Sequence, residues 1–291
     1  MTGRPPFVDT HVHFHDMTQT HMRWVWLEPG WVHPILGDIG ALQSQRYTAE
    51  DFIATTRFQN VAKSVHIQAA LGSEDPVDET IWLQAAFERT GVPSGFVVEV
   101  ALDSPDARAV IERHLAASPN VRGVRHFGPP GYYTDPVWQK GFALLGTHDL
   151  VCSLDSMPEV YADALELARS SPETTMCIDH TGFPRERGDE YFAFWKRELT
   201  KVGQAENAIV KISGLGMGDP SWSPHSIAPL VEHCLEVYSA NRCVVGSNWP
   251  VDRLYSSYDA VLAALRGSVS SLTRAEQEAV LHGNARSVYR L

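Results

Sequence analysis

Eight short runs rich in aliphatic and β-branched residues recur along the chain, at 7–13, 61–69, 94–102, 121–126, 150–154, 174–179, 208–213 and 242–246. Most are nearly continuous apolar runs rather than alternating ones, the pattern of strands buried on both faces. The segments between them carry helix punctuation. Ser104-Pro105 places an N-cap residue before a proline, and Val110, Ile111, His114 and Leu115 follow at helical spacing. Met157-Pro158-Glu159 opens another helix whose apolar face is Val160, Tyr161, Ala164, Leu165 and Ala168. Thr273 and Glu276 form a capping box ahead of Ala279-Val280-Leu281. Strands that alternate with helices predict a parallel sheet, and eight such units predict an α/β fold of the (β/α)₈ TIM-barrel type. The stretch between His13 and Val61 holds Trp24, Trp26, Trp31, His33 and Pro34 and is too irregular for a crossover helix. It is expected to be an aromatic insertion after the first strand, distorting the barrel and covering its mouth. No repeat, low-complexity tract or linker divides the chain, so residues 1–291 are expected to form one domain.

Composition narrows the partners. With 24 Lys+Arg against 35 Asp+Glu the net charge is −11, a field that repels phosphate polymers and anionic lipid, so neither nucleic acid nor a membrane surface is expected as a partner. The N-terminal residues lack an apolar signal-peptide core, and no run of about 18 apolar residues occurs. A cytoplasmic location is therefore expected. Cys152, Cys177, Cys234 and Cys243 are far apart without C-x-x-C spacing, which indicates neither a disulfide framework nor a zinc finger. Oligomeric state is not legible, and a homo-oligomer stays open.

In a barrel of this type the active site lies at the C-terminal ends of the strands. Here those ends collect polar residues: His11, His13 and Asp16 after the first run, His66 and Gln68 after the second, Glu99 after the third, and Arg125 with His126 after the fourth. Asp155 follows the fifth run, Asp179-His180 the sixth, Lys211 and Ser213 the seventh, and Ser247-Asn248-Trp249-Pro250 the eighth. His11 and His13 are two apart, so on a strand both imidazoles project to one side and can chelate one metal or polarise one carbonyl. His66 and His114 read instead as hydrogen-bonded core histidines. Arg125 suits either a substrate carboxylate or a buried ion pair with Glu99 or Asp155.

The segments Phe7-Val8-Asp9-Thr10-His11-Val12-His13, Gly123-Val124-Arg125-His126, Ile178-Asp179-His180-Thr181-Gly182-Phe183-Pro184, Val210-Lys211-Ile212-Ser213-Gly214-Leu215 and Val245-Gly246-Ser247-Asn248-Trp249-Pro250-Val251-Asp252, with Asn284-Ala285-Arg286 near the end, occur in order along the whole chain. Together they resemble the amidohydrolase superfamily, and within it the amidohydrolase-2 branch of lactone-acting enzymes. That branch includes sugar-acid lactonases, sulfomuconolactonase and pyrone-dicarboxylate lactonase. The resemblance implies a lactonase: a hydrolase of a carboxylic ester bond that opens a lactone or related cyclic ester of a small carboxylic acid. Water attacks the ring carbonyl while His11, His13 and His180 polarise it or hold a metal that does. Either no cofactor is required or one divalent metal ion is, zinc before others, on those three histidines.

The chain departs from the pattern at strand eight, where relatives commonly carry an aspartate and this chain has Asn248. An amide has no useful basicity near neutral pH and is a poor zinc ligand. Either the base has moved, with Asp155 first and Glu99, Asp16 or His180 behind it, or the reaction has changed to isomerisation or decarboxylation on the same barrel. A non-catalytic ligand sensor is the third reading. Asp155 reads equally as a helix N-cap, and Asp179, which alternates with His180, as an orienting carboxylate or an outward residue. Asn248 is expected to donate a hydrogen bond. Arg125, His126, Glu99, Trp26, His33, Tyr132 and Trp249 are the expected substrate-binding residues, and the aromatic ones suggest an aromatic or flat cyclic substrate carrying a carboxylate.

Overall fold

The computed structural model describes residues 5–32, 36–127, 131–155 and 157–291. The eight expected runs each contain a parallel strand: β1 (Phe7–Val12), β2 (Val61–Ile67), β3 (Gly95–Glu99), β4 (Val121–Arg125), β5 (Val151–Leu154), β6 (Met176–Ile178), β7 (Ala208–Ile212) and β8 (Cys243–Val245). They pair in chain order in one sheet. Closure between β8 and β1 is made by a parallel bridge from Val12 to Trp249 and by side chains. Thr10 Oγ1 donates to the Val245 carbonyl at 2.8 Å, and Asp9 accepts from Ser247 N–H at 2.8 Å. The result is a nearly closed (β/α)₈ TIM barrel. The strands are shorter than most of the apolar runs because residues at one or both ends of a run leave the ladder.

Each strand is followed by a helix: α1 (Ala49–Thr56), α2 (Val77–Thr90), α3 (Ala107–Ala117), α4 (Pro136–Thr147), α5 (Tyr161–Ser170), α6 (Asp189–Val202), α7 (Pro224–Tyr238) and α8 (Tyr258–Ser268). Helix α3 starts after Asp106 rather than at Pro105, because Ser104 Oγ accepts from Asp106 N–H in a preceding turn. The Thr273–Glu276 capping box forms at the start of α9 (Arg274–Glu278), which runs through a π turn into α10 (Asn284–Val288).

Two apolar layers divide along the strands. Val8, Val65, Ile67, Val97, Val151, Cys177, Ile209 and Val244 fill the lumen with Ala285 and Tyr289 of the C-terminal segment, while alternate residues such as Phe7, Val12, Phe96, Val124, Ile178 and Val245 pack outward against the helices. All four cysteines are buried free thiols. Between β1 and α1 the described residues form two short 3₁₀ turns and a two-residue antiparallel pair, His15–Asp16 with Arg46–Tyr47. Met22, Trp24, Leu27, Ile39 and Leu42 of this stretch make a small core against Ala69 and Ala70 after β2 and Val251 after β8. The insertion therefore sits on the strand-end side of the barrel. Among the described residues, no helix is long and apolar enough to cross a membrane.

Candidate active site

The first strand carries a β-bulge. Asp9 pairs with Ser64 and Val12 with His66, so three residue steps on β1 match two on β2. A bulge re-aims the side chains beyond it. Below it Val8 faces the lumen and Asp9 faces outward to the Tyr258 hydroxyl; above it Val12 faces outward, and His11 and His13 turn inward. Gly246 makes room for them, since a Cβ there would sit 2.6 Å from the Cβ of His11.

The three predicted histidines meet at this end of the barrel. His11 Nε2 and His13 Nε2 are 3.1 Å apart, and the rings of His11 and His180 have centroids 4.4 Å apart. His180 enters from a left-handed turn after β6 (φ 55° at both His180 and Thr181), a conformation costly for residues with a Cβ and characteristic of functional sites. Ser213 Oγ lies 3.0 Å from His180 Nδ1, and Gly214 must lack a side chain because a Cβ there would lie 2.5 Å from the same nitrogen. His13 Nδ1 lies 2.9 Å from the Ile67 carbonyl and so carries the proton, which makes its Nε2 the acceptor for His11 Nε2–H. That arrangement leaves His11 Nδ1 without a hydrogen bond among the described residues, 3.9 Å from Asp179 Oδ2. Burial holds all three imidazoles below the usual histidine range. For His11 the charges of His180 and Lys211 add to it, and for His13 that of Arg125 does. The rings are neutral at pH 7.

Beneath the histidines lies a buried charge cluster. Lys211 Nζ is 2.8 Å from Asp179 Oδ1, Ser153 Oγ donates to Asp179 Oδ2 at 2.7 Å, and Arg125 Nη1 is 4.0 Å from the same oxygen. Burial pushes the Asp179 carboxyl up, but Lys211, His180 and Arg125 outweigh it and hold it below the usual carboxylate range. Asp179 is thus a buried, ionised orienting group. Arg125 is fixed by Gln68, its Nε donating to Gln68 Oε1 at 2.7 Å and its Nη2 to the Gln68 carbonyl at 3.1 Å. Its remaining nitrogen, Nη1, lies 3.7 Å from Asp155 Oδ2. Asp155 is the more exposed partner, at 26% of its side chain. It caps no helix, because the 3₁₀ turn that follows begins after Met157.

The other predicted residues are placed as follows. Trp26 stands beside His13, ring centroids 6.2 Å apart, with its indole N–H on the Ala69 carbonyl. Glu99 lies in register with Arg125, and burial with the charge of Glu79 pushes its carboxyl up to about 7. His126 and Tyr132 form a separate aromatic group with Trp138, where His126 Nδ1 accepts from the Trp138 indole at 2.8 Å and from Leu102 N–H. Trp249 packs its ring against Tyr258 rather than against the histidines. Asp16 turns to Thr18 and Gln19, His66 holds Glu79, and His114 holds Thr80. His33 lies outside the described residues.

At the end of β8, Asn248 adopts φ 58°, a left-handed conformation that asparagine and aspartate tolerate best among residues with a Cβ. Its Nδ2 donates to Asp252 Oδ1 at 2.9 Å. Asp252, whose chemistry the sequence reading passed over, is 1% exposed. A carboxylate four residues after the anomalous amide, following the apolar Trp249-Pro250-Val251, was the available signal.

The amidohydrolase family model matches residues 8–291. The chain belongs to the amidohydrolase family. Among curated relatives of this amidohydrolase are the uncharacterized protein y4mH of Sinorhizobium fredii, 32% identical over 98% of both chains, and the L-fucono-1,5-lactonase of Burkholderia ambifaria, 27% identical over 98% of this chain and 95% of the relative. A crystal structure of an amidohydrolase from Burkholderia multivorans with bound zinc superposes with a TM-score of 0.84 at 22% identity, covering 98% of this chain and 99% of that one.

The donors here do not fit a resident metal ion. His11 and His13 bring two Nε2 atoms together, and Ser213 on His180 Nδ1 leaves that ring's Nε2 as a third nitrogen, but the strand-eight position holds a neutral amide whose N–H₂ faces Asp252 where a metal site needs an anionic oxygen. Lys211 and Arg125 add two buried positive charges to the same end of the barrel. Among the described residues, no group of three or more His, Cys, Asp or Glu side chains is arranged to hold a metal.

Proposed function

We propose that this amidohydrolase opens a lactone, or a related cyclic ester, of a small carboxylic acid. The observation that carries the reading is the proximity of the His11 and His180 rings, 4.4 Å between centroids, to a buried aspartate, Asp179, that Arg125 Nη1 also approaches at 4.0 Å, with the partly exposed Asp155 3.7 Å from that same nitrogen. With Ser213 O–H donating to His180 Nδ1, the His180 Nε2–H is free to donate to a carbonyl oxygen. A carbonyl entering between His11 and His13 takes over the His11 Nε2–H. These neutral donors, with the Arg125 guanidinium behind them, stabilise the negative charge that grows on the carbonyl oxygen as water adds. Asp155, partly exposed beside Arg125, takes the water proton and returns it to the ring oxygen as the ring C–O bond breaks, giving an alcohol and a carboxylic acid that then ionises and releases the proton to solvent. Similarity to the Burkholderia L-fucono-1,5-lactonase supports a sugar-acid lactone within this class.

The test is acid release, followed with a pH indicator, across sugar-acid lactones, pyrones and muconolactones. Turnover of at least one class is expected; no turnover across the panel overturns the reading. Asn248 favours one rival, a proton shift α to a carbonyl. That rival is identified by solvent deuterium in an unhydrolysed product.

A further inference from the structure

The end of β8 holds a buried carboxylate that the proposed mechanism leaves unused. Asp252 lies in the 3₁₀ turn directly after β8, and its backbone N–H donates to the Asn248 carbonyl at 3.1 Å. Its Oδ1 takes the Asn248 Nδ2–H, while its Oδ2 is fully buried and meets no donor at hydrogen-bond geometry among the described residues. No cation pairs with it among the described residues, and the like charge of Asp9 disfavours its ionised form further. Burying a carboxylate without a cation or a full hydrogen-bond set is costly, so a fold that retains one pays in stability for something else.

We propose that Asn248 and Asp252 act as one unit, in which Asp252 is a positioning residue that turns the Asn248 carbonyl oxygen, rather than its N–H₂, toward the water to be activated. An amide is planar, so committing Nδ2 to Asp252 directs Oδ1 away from it. The left-handed backbone at Asn248 fixes the direction in which the side chain leaves the strand end. The amide oxygen then accepts a hydrogen bond from the water and orients it, and the proton itself goes to a carboxylate elsewhere. Burial also pushes the Asp252 carboxyl up to about 7, with Asn248 and the backbone of Gly216 partly offsetting it. The inference rests on the hydrolytic reading for its water, but the pairing can be tested without a substrate.

The experiment compares Asp252→Asn, Asn248→Asp and the exchanged double variant with the parent, on whichever panel ester the parent hydrolyses. Both single variants are expected to lower kcat roughly 10- to 100-fold with little change in KM, the range seen when an orienting partner is lost. The exchanged pair recovers most of that loss, because one carboxylate and one amide again face each other. At pH 8 the Asp252→Asn protein unfolds no earlier than the parent. An unchanged kcat in Asp252→Asn, or a double variant no better than the worse single, overturns the proposal. Raised activity in Asn248→Asp alone also overturns it. Side-chain amide NMR on ¹⁵N-labelled protein gives the substrate-independent arm. The Asn248 N–H₂ pair is expected to be slow to exchange in the parent and to lose that protection in Asp252→Asn; equal exchange in both refutes the pairing. A parent silent on every ester fails the hydrolytic reading and leaves this second arm to decide the pairing.

Discussion

The ends of β6 and β8 each bury an aspartate completely, and the two carboxyls are driven in opposite directions. Asp179 has Lys211, Ser153 and Arg125 around it and stays ionised, whereas Asp252 has the Asn248 amide and the backbone of Gly216, no paired cation among the described residues, and is pushed up to about 7. Burial is common to both, so the surrounding partners decide the charge. The β6 end serves as an electrostatic anchor beneath His11 and His180, and the β8 end as a turn that aims an amide.

The largest expected effect breaks the anchor. Lys211→Met leaves the Asp179 charge buried with a hydroxyl, a thiol and a neutral imidazole around it and its one remaining cation, the Arg125 guanidinium, 4.0 Å away among the described residues. It should cost about 3 to 5 kcal/mol in denaturant unfolding at pH 7, and the added change Asp179→Asn should recover part of that. A loss under about 1 kcal/mol would show that Asp179 does not depend on its lysine.

Next in size is the chemistry the anchor supports. His180→Asn should lower kcat/KM by roughly 10²- to 10³-fold toward a hydrolysed ester, as loss of one preorganised donor does, with little change in unfolding midpoint. A drop of less than about threefold would remove His180 from carbonyl polarisation.

The smallest effect separates the two carboxyls by pH. Asp252 binds its proton more tightly when folded, so its contribution to stability is complete below the ordinary aspartate range near 3.8 and is lost as pH rises through about 7. Asp9, buried and pushed up to about 6, acts in the same sense. Asp179 has the opposite sign: its contribution is present above the ordinary aspartate range and is lost as pH falls through its lowered value. Asp252→Asn should therefore flatten the decline in stability between about pH 4 and 7 and leave the variant about 1 kcal/mol or more ahead at pH 8, while Asp179→Asn flattens the acid side. Chemical denaturation across that range checks both signs.

The same contrast explains what could be read from residues alone. Continuous β-branched runs report strands buried on both faces, so the eight strands were legible with errors only at their ends. The histidine pair was legible as a pair, because spacing of two keeps side chains on one face. That its face is the lumen depends on the bulge between Asp9 and Val12, which no local residue pattern marks. The roles of Asp179 and Asp155 depend on partners from other strands, Lys211 and Ser153 for one and Arg125 for the other. Such pairings arise only when the barrel closes. His126 and Trp249 sit at strand ends like the rest, yet one serves Trp138 and the other Tyr258, because the direction of a side chain beyond the ladder is set by packing.

The central claim is that His11, His180 and Arg125 address one carbonyl. A crystal structure with a lactone analogue, or with the hydroxy-acid product of a hydrolysed ester, tests it most directly. The carbonyl or carboxylate oxygen is expected within hydrogen-bond distance of His11 Nε2 and His180 Nε2, with Arg125 Nη1 on the same ligand. A ligand held against the His126–Tyr132–Trp138 group, with the histidine pair still bonded to itself, would contradict it.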